Sequence, residues 1–119
     1  MHKKTGHTVA LKSYDKKNLT QEAAALALHR EIYTLATLKH TNIMRLYEVI
    51  DMRTHVHLVM ELCHGKNLFH YIKNKKPENR LPEPEAAFIF RQIVSVMAYM
   101  HENEVVHRDL KLENILIND

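Results

Sequence analysis

Residues 107–114 read His107-Arg108-Asp109-Leu110-Lys111-Leu112-Glu113-Asn114. Asp109 and Asn114 stand five positions apart in a polar stretch, so one turn of chain can bring a carboxylate and an amide oxygen into one small volume. A carboxylate there can accept a proton from an attacking hydroxyl. An amide oxygen suits a hard cation such as Mg²⁺, which takes oxygen ligands. Lys111 can set a positive charge against a transferring phosphoryl group. The bland alternative is a surface loop of interspersed charges, but an eight-residue pattern of this kind seldom arises by chance.

Around this loop the chain reads as mixed structure. Ahead of it, Ala86, Ile89, Ile93, Val96, Met97 and Met100 follow helical spacing from Pro84 to Glu102, with Pro84 in the first turn. After it, Ile115–Ile117 reads as a short closing strand. Nearer the N-terminus, Thr8–Tyr14 alternates as a strand, with Ala10, Lys12 and Tyr14 on one face and Val9, Leu11 and Ser13 on the other. Asp15-Lys16-Lys17-Asn18 is a polar break, and Asn18 with Gln21 resembles a helix-start box. A helix is expected over 20–39, with Leu28, Ile32 and Leu35 in one stripe. Ile43–Ile50 and Val56–Met60 read as strands joined by a loop of hairpin length. Gly65 punctuates the next junction, Leu68–Asn74 reads as a short helix, and Lys75–Arg80 is a charged loop containing Pro77. The order is α+β with an antiparallel pair, without regular βαβ alternation. A change of composition near Cys63–Lys66 separates a strand-bearing half, 1–62, from a helical half, 63–119.

The chain has 119 residues, 45% apolar and 26% charged, ordinary for a globular domain. Its longest uncharged run, Gln92–Met100, is far short of the roughly 20 residues of a membrane span. A single cysteine excludes an internal disulfide framework and fits a reducing, intracellular and cytoplasmic setting. The formal net charge of +3 is spread over small clusters (Lys3-Lys4, Lys16-Lys17, Lys73–Lys76), which read as solvated surface. No nucleic-acid partner is expected.

The 107–114 segment resembles the protein-kinase catalytic loop H-R-D-L-x-x-x-N, and the resemblance continues upstream in the family's order. Val9-Ala10-Leu11-Lys12 resembles the third-strand V-A-I-K motif, with Leu for Ile. The resemblance implies a two-lobed kinase fold and phosphoryl transfer from ATP, with Mg²⁺, to serine or threonine hydroxyls of a protein substrate. Asp109 would be the base, with Lys111 and Asn114 stabilising charge and Asn114 also ligating metal. Lys12 would hold the ATP phosphates. Glu31 is its expected partner, because it lies beside the Leu28–Ile32–Leu35 stripe, whereas Glu22 sits in the first turn. Met60-Glu61-Leu62-Cys63 resembles the gatekeeper and hinge, where backbone groups of Glu61 and Cys63 would meet adenine between Ala10 and Leu116. His107 would pack as a core post, and Arg108 would pair with an activation-loop phosphate. Lys111 favours serine/threonine specificity. His40-Thr41-Asn42-Ile43 with Leu46–Ile50, together with Lys111–Leu116, is similar to the calcium/calmodulin-dependent and AMP-activated kinase branch.

The chain departs from the family pattern in four ways. No Gly-rich loop precedes Val9, no Asp-Phe-Gly follows Asn114, the activation segment is absent, and Asn67 stands where many relatives carry an acid. Truncation at both ends is therefore expected, with poor autonomous stability. The competing reading is a non-catalytic, pseudokinase-like binding fragment. Metal binding by His55 and His57, which share one strand face, lacks a third ligand at persuasive spacing.

Overall fold

Val56, Leu58 and Val59 place apolar side chains mid-strand in His55–Met60, and all three are buried, Leu58 completely. In the computed structural model, which describes residues 6, 8–75 and 78–118, this strand (β3) is the centre of a three-stranded antiparallel sheet. Its neighbours are β1 (Ala10–Asp15) and β2 (Leu46–Asp51), in the order β1-β3-β2. Lys12 stands opposite Leu58 and Ser13 opposite His57, so alternation places Lys12 on the core side and Ser13 outside. The β2–β3 register slips between Leu46 and Glu48, leaving Tyr47 as an extra, exposed residue.

The first helix, α1 (Glu22–Thr37), is rich in Ala, Leu and Glu, which favour helix. Its Leu28 joins Val56 and Leu58 in the core, with Ile32 and Leu35 packed against them. The helix does not begin at a box on Asn18. Gln21 is its N-cap and makes no side-chain cap hydrogen bond. Asp15 Oδ1 instead accepts from the Lys17 N–H at 2.9 Å, which diverts Lys16–Leu19 into a 3₁₀ turn.

Residues 1–62 and 63–119 separate into two compact units. In the second, β4 (Lys66–Asn67) pairs antiparallel with β5 (Leu116–Ile117). Gly65 leads into this pair: a Cβ there would collide with the Ile117 carbonyl oxygen. Asn67 closes the N-terminus of α2 (Leu68–Lys73), its Oδ1 accepting from the His70 N–H at 2.9 Å. The long helix α3 (Glu83–Glu102) begins beside Pro84 and ends where Asn103 Nδ2 donates to the Tyr99 carbonyl at 2.8 Å. Tyr71 of α2 donates to Glu85 of α3 at 2.5 Å, and Lys75 pairs with the same carboxylate at 2.9 Å. Leu68 and Met100 are buried, while Phe88 and Phe90 are exposed. The Lys3-Lys4 pair, and Lys76 and Pro77 of the charged loop, lie outside the described residues.

Candidate active site

The loop that follows α3 turns sharply. Arg108 adopts φ 64°, in the left-handed region that costs a non-glycine residue about 1–3 kcal/mol. The Asp109 N–H then donates to His107 Nδ1 at 3.3 Å. His107 is half-buried, so it orients the backbone of the loop and is not a post within the core. Residues Leu112–Asn114 form a 3₁₀ turn that folds Asn114 back toward Asp109.

Three side chains meet as a result. Lys111 Nζ lies 2.9 Å from Asp109 Oδ2, and Asn114 Nδ2 donates to the same oxygen at 2.9 Å and to the Asp109 carbonyl at 2.8 Å. The hydrogen bonds from Lys111 and then Asn114 lower the Asp109 pKa below its ordinary value, and the Lys111 ammonium is correspondingly raised by Asp109. Both groups remain solvent-exposed. Asp109 Oδ1 and Asn114 Oδ1 have no partner among the described residues, so one carboxylate oxygen and one amide oxygen face outward. A carboxylate with an amide oxygen is a donor set that fits a hard divalent cation.

In the first unit, Lys12 Nζ pairs with Glu31 Oε1 at 2.7 Å. Tyr14 completes this cluster: its hydroxyl donates to Glu31 Oε2 at 2.5 Å and its ring lies under Lys12 Nζ at 5.2 Å. Burial works against the Lys12 charge, but the hydrogen bonds with Glu31 and Tyr14 outweigh it and raise the pKa. Burial, reinforced by Glu31, raises the Tyr14 phenol. Tyr14 was not singled out from sequence, although its place two residues after Lys12, on the same strand face, was the available signal.

The remaining candidates are placed as follows. Ala10 is half-buried on β1, opposite Met60. The Glu61 N–H donates to the Arg45 carbonyl at 2.9 Å and its Oε2 accepts from the Arg45 N–H at 3.2 Å, so the side chain is tied to its own unit. Cys63 is a free, half-buried thiol, with Sγ 3.7 Å from the Ile117 carbonyl oxygen. Its N–H has no partner among the described residues. Leu116 is 44% exposed on β5. No helix among the described residues is long and apolar enough to cross a membrane.

The protein kinase domain family matches residues 1–119. The serine/threonine protein kinase OSK3 of Oryza sativa subsp. indica is 45% identical over 117 residues, covering 98% of this chain and 22% of that protein. NUAK family SNF1-like kinase 1 of Homo sapiens is 41% identical over 115 residues, 97% of this chain and 17% of that protein. The SNF1-related protein kinase catalytic subunit alpha KIN12 of Arabidopsis thaliana is 40% identical over 118 residues, 99% of this chain and 23% of that protein. The chain thus spans between 17% and 23% of the length of these relatives. A match along the whole sequence, with the His107–Asn114 loop folded around Asp109, establishes that the chain belongs to the protein kinase domain family.

Proposed function

We propose that the parent protein of this chain transfers the γ-phosphoryl group of ATP to serine or threonine hydroxyls of a protein substrate. The observation that carries this reading is Asp109, bracketed on one oxygen by Lys111 and Asn114 with its other oxygen facing outward. The substrate hydroxyl oxygen attacks the γ-phosphorus, its proton passes to Asp109 Oδ1, and the bond to the departing ADP oxygen breaks. A carboxylate with a lowered pKa is a weak base in the resting enzyme. Its main contribution is to orient the hydroxyl, accepting the proton late, as phosphorus–oxygen bonding develops. Lys111 supplies positive charge to the transferring group. Asn114 Oδ1 would hold Mg²⁺, which neutralises phosphate charge when bound.

The Lys12–Glu31 pair supports a nucleotide anchor, in which Lys12 meets the α- and β-phosphates while Glu31 and Tyr14 hold its stem. By resemblance, backbone groups of Glu61 and Cys63 would meet adenine, with Ala10 and Leu116 as the apolar residues assigned to it. We read residues 1–62 as a small-lobe remnant and 63–119 as the start of the large lobe, through the catalytic loop. The calcium/calmodulin-dependent or AMP-activated kinase branch is the sub-assignment that the sequence resemblance supports. Lysine at 111 and relatives named as serine/threonine kinases favour those two hydroxyls over tyrosine. The lone cysteine supports an intracellular, cytoplasmic setting.

A transfer assay with radiolabelled ATP and a generic Ser/Thr protein substrate tests the reading in the parent protein. Asp109→Asn is expected to lower the rate about 10²–10⁴-fold with little change in fold. Undiminished transfer by that variant would overturn the role of Asp109. A non-catalytic binding fragment is the second reading for the 119-residue chain alone, because it spans so small a share of its relatives. That reading predicts nucleotide or partner binding without turnover.

A further inference from the structure

Glu31 has two carboxylate oxygens, and β1 takes hold of both. Lys12 and Tyr14 stand two positions apart on one face of that strand, so both side chains reach the same carboxylate on α1. Lys12 Nζ meets Oε1 at 2.7 Å, and the Tyr14 hydroxyl donates to Oε2 at 2.5 Å. The terminal torsion of a glutamate is broad, so a single bond leaves its carboxylate free to pivot. Two bonds, one to each oxygen and both from the same strand, fix the carboxylate plane. The tyrosine ring also lies under the ammonium, with its centroid 5.2 Å from Lys12 Nζ. Tyr14 is itself held: it is half-buried, it packs against the Leu28–Val56–Leu58 core, and its cross-strand partner is the apolar Val56. Among the described residues, Lys12 and Glu31 are the charged groups that act on it.

We propose that Tyr14 is a positioning residue for the nucleotide, its hydroxyl and ring holding the Glu31 carboxylate and the Lys12 ammonium in the geometry that receives the ATP phosphates. This rests on the reading of Lys12 as the phosphate anchor. An ammonium carries three donors. With Oε1 held in place, one donor is committed to Glu31 and the others are directed by it. The Lys12 side chain is 53% exposed, and a lysine without such a frame gives up rotamer freedom when phosphate binds. Holding it beforehand removes that cost. The ion pair itself does not depend on Tyr14. Tyr14→Phe keeps the Lys12–Glu31 attraction and the ring, and removes only the bond that fixes the carboxylate plane. The electrostatics agree with the geometry. Burial and then Glu31 raise the phenol while Lys12 works to lower it, so the proton that makes the bond stays on the tyrosine at neutral pH.

The test measures steady-state transfer from ATP to a serine-containing protein substrate in the parent protein, varying each substrate in turn. Tyr14→Phe is expected to raise KM for ATP about 3–10-fold, as loss of one hydrogen bond implies, and to leave KM for the protein substrate unchanged. Tyr14→Leu, which also removes the ring, should raise KM for ATP further. Tyr33→Phe, at a 70% exposed position on α1, should change neither constant. A tyrosine that only supported the fold would lower kcat through loss of folded enzyme, without this split. An NMR titration of selectively labelled Tyr14 gives a readout independent of turnover. Its midpoint should lie above that of an ordinary tyrosine, fall in Glu31→Gln and rise further in Lys12→Met. A midpoint that ignores Glu31→Gln would overturn the proposal. Loss of transfer in Asp109→Asn, together with an unchanged KM for ATP in Tyr14→Phe, would overturn the role of Tyr14 alone. Undiminished transfer in Asp109→Asn would instead overturn the phosphoryl-transfer reading on which that role rests.

Discussion

Asp109 is kept ionised by two neighbours from its own loop, and that has a direct consequence for pH. Its folded-state pKa is lowered, so whatever stability its contacts add is present above the ordinary carboxylate pKa and is lost as pH falls through the lowered value. Because the group is fully exposed, the effect is expected on the chemical shift of the Asp109 carboxylate more than on the melting point. An NMR titration should find its midpoint below that of an unperturbed aspartate, and Lys111→Ala should move it back up. Lys12 behaves in the opposite sense. Its raised pKa means that the contribution of the Lys12–Glu31 pair is complete below the ordinary lysine pKa and fades as pH rises through the higher folded value. Both partners are part-exposed, so a double-mutant cycle with Lys12→Met and Glu31→Gln should return a coupling of about 0.2–1 kcal/mol, decreasing with salt. Tyr14→Phe should leave that coupling but shift the alkaline loss.

At the scale of elements, two contacts decide whether the pieces hold together. Leu58 is fully buried between the sheet and α1, so Leu58→Ala should cost the first unit about 2–5 kcal/mol by chemical denaturation. Gly65 admits the β5 backbone, so Gly65→Ala should destabilise the second unit by on the order of 3 kcal/mol, with loss of amide protection at Lys66 and Asn67. The elements with strong side-chain periodicity were legible in sequence. The Leu28–Ile32–Leu35 stripe, the alternation of Lys12 and Tyr14, and the run ending at Met100 all have the positions their spacing implies. The elements that were not legible are held by backbone or by capping. β4 is two polar residues whose only strand signal is pairing with Leu116 and Ile117. The 3₁₀ turn at Lys16–Leu19 arises because Asp15 offers the backbone a local alternative to helix. In the site, Asp109, Lys111 and Asn114 were readable as a group. The capture of two of them on one carboxylate oxygen depends on the left-handed turn at Arg108, which no side-chain pattern announces.

On the scale of the whole chain, each unit has a small core, and large apolar side chains remain exposed on α3 and on the sheet. Phe88 and Phe90 are 66% and 64% exposed, and Leu11 is 57% exposed on β1. Exposed apolar surface of this kind seeks cover, and unpaired strand edges invite association. The isolated chain should therefore bind hydrophobic dyes and unfold over a broad range, with a calorimetric enthalpy well below ~0.7 kcal/mol per residue. A single sharp transition at the full enthalpy would contradict that expectation.

On the proposed function, the His107–Asn114 loop is a phosphoryl-transfer site with Asp109 accepting the hydroxyl proton. Its most direct measurement is the single-turnover rate of γ-phosphoryl transfer from radiolabelled ATP to a serine-containing protein substrate, in the parent protein and its Asp109→Asn variant at matched nucleotide occupancy. A fall of about 10²–10⁴-fold is expected, with nucleotide affinity nearly unchanged. Equal rates in the two proteins would contradict it.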